Sequence, residues 1–465
     1  MAVTDQLESR YRARSMWLDQ IPGPLTPRPG LPGDVDCDVA VVGAGFTGLW
    51  TAYYLKRLQP DLRIVVLERE IAGYGPSGRN GGWVSAGMSG TAAVYRRRGG
   101  QEAVRRANRA TIEGVDEIGR VAAEEGIDCA YLKAGWLAVA GSEAQRRRLQ
   151  ESVENAHANG FGDDFRLVDR DELRQLARVE NSLLAAHNPS SARVDPARLA
   201  RGLADCCEAM GITIYERTAA LELAAGHVRC AAGTVRAATV VRATESYTTE
   251  LPGERLRYLP LYSLMIATEP LPDAVWDELG WRDGLLIMDY RHLFFYAQRT
   301  ADGRIALGGR GAPYRLKTPI TESNERNASV RRRLEATIAR HFPAAAGAAI
   351  THHWGGPLAV PRDWCMSIHF DRATGLGWAG GYSGHGVVSA NIAGRTMADL
   401  VLNRQSDLVT LPWVGHRNRR WEPEPARFLA SRAIVRILAD ADEYEQRTGK
   451  RAARVRLVAP FMAEH

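Results

Sequence analysis

Between Cys37 and Glu68 the chain reads CDVAVVGAGFTGLWTAYYLKRLQPDLRIVVLE, and this run constrains the fold more than any other. Asp38 to Val42 is a short apolar run with the length of a buried strand. Gly43, Gly45 and Gly48 follow it with G-x-G-x-x-G spacing, and a helix is expected from near Thr47. The glycines have separate physical tasks: a tight turn, close approach of backbone to a pyrophosphate, and close packing of helix on sheet. A phosphate at this turn meets unpaired backbone N–H groups and the positive end of a helix dipole. Arg63 to Leu67 is a second β-branched run, and Glu68 stands twenty residues beyond Gly48. A carboxylate there can accept both hydroxyls of an adenosine ribose. A purely structural glycine turn would explain the glycines, but not strand, helix, second strand and acid together. The unit predicts a dinucleotide site, and the fingerprint alone suits NAD and FAD alike.

Further along, the patterns alternate between two architectures. IPGPLTPRPGLPGD, within the first 36 residues, excludes a regular element and reads as an arm over the domain surface. Ala103 to Gly126 and Ser142 to Gly160 have helical composition and spacing, with a strand-like run from Tyr131 to Ala140 between them. Asp195 is placed to cap a helix that has Pro196 in its first turn, and Thr239 to Ala243 is another buried β-branched run. Leu261–Thr268, Leu285–Asp289, Leu293–Arg299 and Arg304–Gly308 read as short strands of an antiparallel sheet. Thr374 to Leu402 repeats the opening logic: a strand, a glycine-dense turn, and a helix from about Val387. The reading is an α/β fold. A Rossmann-like nucleotide domain is assembled from 37–90, 190–255 and 350–405, and an inserted, mostly antiparallel second domain comes from 91–189 and 256–349. An arm over 1–36 and a helical tail over 406–465, with one helix from Pro425 to Arg447, complete the chain.

Composition narrows the partners. With 465 residues the chain can hold two or three cores. No run reaches the roughly 18 apolar residues of a membrane span. Met1 to Gln20 carries charges where a signal peptide is apolar, so the cytoplasm is expected. The six cysteines lack C-x-x-C spacing and a companion histidine pair, which points to buried thiols rather than a metal site or disulfides. The net charge of +6 comes from dispersed arginines without interleaved aromatics, so nucleic acid is not an expected partner.

Two further motifs decide between cofactors. They are Gly75-Pro-Ser-Gly-Arg-Asn-Gly-Gly-Trp83 and, from Gly380 to Val387, GGYSGHGV. Together with the first they resemble the D-amino-acid-oxidase-like superfamily of FAD-dependent oxidoreductases. The closest likeness is to its amine-oxidising branch of γ-glutamylputrescine, sarcosine and glycine oxidases. The likeness covers about residues 37–402 and implies an FAD domain of three chain segments under an antiparallel substrate domain.

Carried over onto this sequence, Gly43, Gly45, Gly48, Glu68 and Arg69 would hold the adenosine diphosphate half. Ala220 would meet the adenine, and Ala243 and Thr244 would lie along the pyrophosphate. Ser77, Arg79, Asn80, Gly81 and Gly82 would line the ribityl chain and the flavin ring. Gly381, Ser383, Gly384, His385 and Gly386 would bring N–H groups of 384–386 to the N1–C2=O edge, where reduction places negative charge. His385, Arg79 and Asn80 would stand nearest the reaction, His385 through its main chain or its imidazole. Trp83, Tyr262 and Tyr296 are candidates for an aromatic substrate wall. Amino-acid oxidases of the superfamily have a carboxylate-binding arginine just after a Trp-Gly pair. Here that stretch is Trp354-Gly-Gly-Pro-Leu-Ala-Val-Pro-Arg362-Asp363, which leaves Arg362 as the substitute, or as a surface residue.

The implied chemistry is hydride loss from the α-carbon of a primary or secondary amine to flavin N5. The imine is then hydrolysed, and oxygen or another acceptor takes the electrons. An amino-acid substrate, or a structural FAD with a partner-binding second domain, are the alternatives. Cys365 lies downstream of Asp363, unlike the attached cysteine of sarcosine oxidase, so noncovalent FAD is expected. Only Lys133 and Lys317 fall in the substrate domain as candidates to assist oxygen.

Overall fold

The strand Val35–Val42 is buried continuously from Val39 to Val42 and contributes to two cores, Val39 and Val41 to one, Cys37, Ala40 and Val42 to the other. A strand buried on both faces needs an unbroken apolar run and suits parallel neighbours. In the computed structural model, which describes residues 2–311, 314–316 and 320–461, the strand pairs in parallel with Ile64–Leu67 and Thr234–Arg242. Thr213–Tyr215 and Leu376–Gly380 extend the parallel order at either side. Antiparallel strands Ala220–Ala224, His227–Cys230 and Ser367–Asp371 complete eight. The helices Phe46–Leu58, Pro196–Ala209 and Gly386–Val401 cover one face with a core that includes Leu49, Leu203 and Ile392. A Cβ on Gly394 would stand 2.5 Å from that of Trp50, so two of these helices meet backbone to backbone.

The second sheet also has eight strands, in the order Ile350–Val360, Leu259–Thr268, Ile305–Gly309, Phe295–Arg299, Leu286–Asp289, Trp136–Ala140, Leu184–Asn188, Arg166–Val168. Of these neighbours Leu286–Asp289 and Trp136–Ala140 run parallel, and the rest are antiparallel. Its outer face packs Leu264, Ile266, Ile287 and Phe295 against the helix Ala328–His341. Across its inner face one registered row crosses six strands: Met265, Gly308, Tyr296, Met288, Ala138 and Ala186. A small sheet of Trp83–Ser85, Ser191–Arg193 and Leu132–Lys133 stands between the two.

Several elements differ from the sequence reading. Ile350–Val360, set in the nucleotide domain, pairs along its length with Leu259–Thr268 in the second sheet, and the chain rejoins the first sheet at Ser367–Asp371. The helix expected from Ala103 begins at Ala92 and continues to Glu124 across a break at Gly99 and Gly100, where φ is +71° at Gly100. The strand expected from Tyr131 is split at Gly135, whose φ is +81°. The stretch 21–34 is irregular, but before it come the helices Ala2–Arg12 and Met16–Asp19. Met16, Trp17 and Leu18 are buried, and the Trp17 indole donates to the Asn80 carbonyl at 2.9 Å. The tail helix spans Ala426–Thr448. No helix among the described residues is long and apolar enough to cross a membrane.

Candidate active site

A cavity of about 1050 Å³ lies between the two large sheets, and the three glycine-rich segments all reach its wall. Gly43 (φ +108°) turns the chain out of the first strand, and a Cβ there would stand 2.6 Å from the Ala243 carbonyl oxygen. Gly45 precedes the first turn of Phe46–Leu58, so the positive end of that helix faces the cavity. Gly48 does not line it. A Cβ at Gly48 would fall 1.8 Å from the Gly43 carbonyl oxygen, so its task is to seat the helix on the turn. Glu68 is half-buried at the wall, where its carboxylate accepts the N–H groups of Ala44 and Glu70, each at 2.9 Å. Burial pushes it up to about 7 against the pull of these two donors. Arg69, Ala220, Ala243 and Thr244 line the same end, and Arg69 pairs with Glu250 at 2.6 Å.

The second glycine segment is braced from below. Ser77 accepts the Phe46 N–H at 2.9 Å, which ties this segment to the start of the nucleotide helix. Asn80 donates to the carbonyls of Ser77 (2.9 Å) and Pro76 (3.2 Å) and accepts the Gly82 N–H at 2.8 Å. The Arg79 guanidinium is buried and committed to Glu325 (2.7 Å), the Gly355 carbonyl and the Tyr247 hydroxyl. Glu325, itself buried, also holds Arg14 at 2.5 Å. Arg79 and Asn80, expected nearest the reaction, therefore hold the loop in shape with their side chains. Gly81 lines the cavity under the Tyr296 ring. Gly82 (φ +68°) does not line it, and is hemmed in by Gln298 and the Val194 carbonyl.

In the third segment Gly381, Ser383 and Gly384 have φ of +82°, +53° and +113°. Glu245, at φ +44°, accepts the N–H groups of Gly381 (3.0 Å) and Tyr382 (3.1 Å), and burial pushes its carboxyl up to about 7. Gly381 is thus a support behind the wall, while Ser383, Gly384, His385 and Gly386 line it. The His385 N–H is spent on the Tyr382 carbonyl at 2.9 Å, which leaves Gly384 and Gly386 to present theirs at the start of Gly386–Val401. The His385 imidazole stands beside Gly87, and burial together with the Arg310 cation pushes it down to about 4, so it is neutral at neutral pH.

Of the expected substrate wall, Trp83 and Tyr296 meet edge-on at 6.1 Å, with the Tyr296 hydroxyl 2.6 Å from Ser263. Tyr262 neighbours Ser263 in a strand, so it points to the opposite face and packs with the outer core. Arg362 faces the tail, bonding both oxygens of Glu422 (3.0 and 3.1 Å) over the Trp421 ring. Asp363, next to it in sequence, binds His416 and Asn418 instead, each at 2.7 Å.

The residue that sequence reasoning missed is Arg310. It lines the cavity over the Phe294 ring (4.5 Å) and near Tyr296 and His385, with burial lowering it to about 10. Its one sequence signal is its place two residues after Gly308, just past the end of the strand Ile305–Gly309, with Gly308 under the Tyr296 ring. Lys133 pairs with Asp116, Lys317 lies outside the described residues, and no described lysine or cysteine lines the cavity. Cys365 is buried beside Tyr95.

The sequence profile of the family described as FAD dependent oxidoreductase (DAO) matches residues 38–400. The chain belongs to this family. γ-Glutamylputrescine oxidoreductase of Escherichia coli K12 is 30% identical over 373 residues, which cover 79% of this chain and 84% of that one. The probable oxidoreductase OrdL of Haemophilus influenzae is 28% identical over 375 residues, covering 78% and 83%. Among solved structures, glycine oxidase from Geobacillus kaustophilus superimposes with a TM-score of 0.69 at 18% identity, over 82% of this chain and 99% of that one. The fold and its FAD cofactor are those of the family, and the chain is an FAD-dependent oxidoreductase. The cavity fits that cofactor: it carries a helix N-terminus behind a glycine turn, an acid at the ribose position and a second helix N-terminus at Gly386.

Proposed function

We propose that this enzyme oxidises an amine at the carbon bearing nitrogen, giving an imine that water hydrolyses. The observation that carries this reading is the charge pattern of the wall formed by the second sheet. Among the described lining residues the carboxylates are Glu68, Glu245 and Glu250, all on the nucleotide side; opposite them stand Arg310, Ser263, Trp83 and Tyr296. A guanidinium near the reacting nitrogen disfavours ammonium and so favours the neutral amine, the form able to give up hydride. A carboxylate base is then unnecessary, and neutral His385 is no strong base either. When bound, FAD accepts that hydride at N5, which requires the carbon to lie about 3–3.5 Å away.

The chain's own residues divide the remaining work. Gly43, Gly45 and the Phe46 helix start would receive the pyrophosphate, with Ala243 and Thr244 alongside; Glu68 would receive the ribose and Ala220 the adenine. Ser77, Asn80 and Gly81, which line the cavity, would hold the flavin ring. The N–H groups of Gly384 and Gly386 would meet negative charge on it, while Trp83 and Tyr296 would exclude water and orient the substrate. The absence of cysteine from the described lining supports noncovalent FAD, and molecular oxygen is the proposed oxidant.

Arg310 also favours a second reading, in which the substrate carries a carboxylate, as an amino acid or an N-substituted one. Similarity to a γ-glutamylputrescine oxidoreductase and to a glycine oxidase supports amines and amino acids respectively. Anaerobic mixing with polyamines, γ-glutamyl-amines, N-methyl amino acids, amino acids and aminophosphonates tests both. Bleaching of the visible flavin band by an amine, faster at higher pH, is expected. Bleaching by amino acids alone would replace the first reading with the second, and if none of these compounds bleaches it both readings fail.

A further inference from the structure

The cavity does not stop at Trp83 and Tyr296. Along the inner face of the second sheet it passes Met288, one strand over, and reaches Trp136, two strands over, where Phe161, Phe165 and Tyr290 also line it. At about 4.8 Å per strand, this outer chamber is centred about 10 Å from Tyr296. Its wall is aromatic: Trp136 meets Phe165 edge-on at 5.4 Å, and Phe161 meets Phe165 at 6.0 Å. Rings that served only as core would close on one another. Here Phe165 is buried against Leu149 and Val153, while Trp136, Phe161, Met288 and Tyr290 keep part of their surface open. The described polar residues of this end are uncharged except for Arg96: Asn108 and Asn188 are buried in the wall, Asn188 directly across from Trp136, while Arg96 is tied to Gln101 at 2.8 Å and Gln101 in turn donates to Asn159 at 2.8 Å. No described carboxylate lines this end.

We infer that the outer chamber is a substrate subsite for a flat apolar group, such as an aryl ring, held about 10 Å from Tyr296 and so remote from the carbon that is oxidised. A chamber of rings and amides without acids discriminates against a bare polyamine, whose second ammonium would be desolvated there without a carboxylate partner. It rewards a long amine that ends in an uncharged planar group, because such a group stacks and buries apolar area. The location of the oxidised carbon rests on the amine-oxidation reading, whereas binding in the chamber does not.

The test uses the FAD-loaded enzyme and two redox-inert probes, pentanoate and 5-phenylpentanoate, followed by titration calorimetry. The phenyl probe is expected to bind at least tenfold tighter. Trp136→Leu removes a ring, and Ala156→Phe fills the chamber from the half-buried lining face of the helix Glu143–Ala158. Each is expected to reduce the phenyl advantage to about threefold or less, with pentanoate affinity held within about twofold. Retained flavin absorbance shows which variant is folded, and either one suffices. Equal binding of the two probes, or an advantage that a folded variant leaves unchanged, overturns the subsite. A phenyl advantage lost in the variants, in an enzyme that no amine reduces, upholds the chamber and removes the amine-oxidation reading instead.

Discussion

Glu68 is the side chain with most to lose on ligand removal, because the ribose would supply two charge-assisted hydrogen bonds to it. Glu68→Ala is expected to weaken FAD binding by about 2–4 kcal/mol, read from flavin retained after gel filtration. With its carboxyl raised to about 7, the apoprotein holds a proton that the ribose-bonded carboxylate must shed. FAD affinity should therefore rise with pH up to about 7 and level off above it, and Glu68→Gln should flatten that slope in a fluorescence titration. Gly384 is a different case: nothing in the protein lies within 4 Å of a Cβ placed there, yet its φ is +113°. Gly384→Val is thus expected to spare the core while shifting the turn. It should lower the flavin potential and slow anaerobic reduction about a hundredfold, with His385→Ala doing much less. An unchanged potential and rate in Gly384→Val would make the turn merely structural. The glycine fingerprints were legible because their spacing is local, whereas Arg310 depends on which strand face meets the cavity. Arg362, adjacent in sequence to the expected motif, instead meets Glu422, about sixty positions on.

At the level of elements, the third glycine segment is gripped by Glu245 from the end of Thr234–Arg242. The grip costs backbone strain at φ +44°, of order 1–3 kcal/mol. Glu245→Ala loses both hydrogen bonds and keeps the strain, so destabilisation by about 2–4 kcal/mol is expected. Glu245→Gly should be milder by about 1 kcal/mol, since glycine accepts this conformation; the two urea midpoints decide. The buried carboxyl, raised from 4.5 to about 7, binds its proton more tightly in the folded chain. Its own contribution makes the fold less stable as pH rises across that interval. Most strands were legible from apolar runs bounded by turns. Assignment to a sheet was less so: Ile350–Val360 stands next in sequence to nucleotide-domain strands, but its partner is Leu259–Thr268. Pairing between distant segments leaves no local trace.

Across the whole molecule, Glu325 joins three distant stretches, holding Arg14 of the arm and Arg79 of the second glycine segment in one buried cluster. Removing one member of such a cluster strands the others, so Glu325→Ala should cost about 3–5 kcal/mol in denaturant unfolding and loosen FAD, with Glu325→Gln milder. Unchanged stability in Glu325→Ala would show that the two arginines find water or other partners. The discontinuity of the first sheet has its own consequence during synthesis. Its strand Val35–Val42 leaves the ribosome early, and the strand Leu376–Gly380 and helix Gly386–Val401 that complete its half of the core leave late. At about 5–20 residues per second, the roughly 330 residues between Val42 and Leu376 take about 15–70 s to emerge. For that time the nascent nucleotide half exposes the Trp50 surface that Gly394 later covers, and a transcript cut short anywhere before the closing helix yields a chain with an open core and an incomplete cradle.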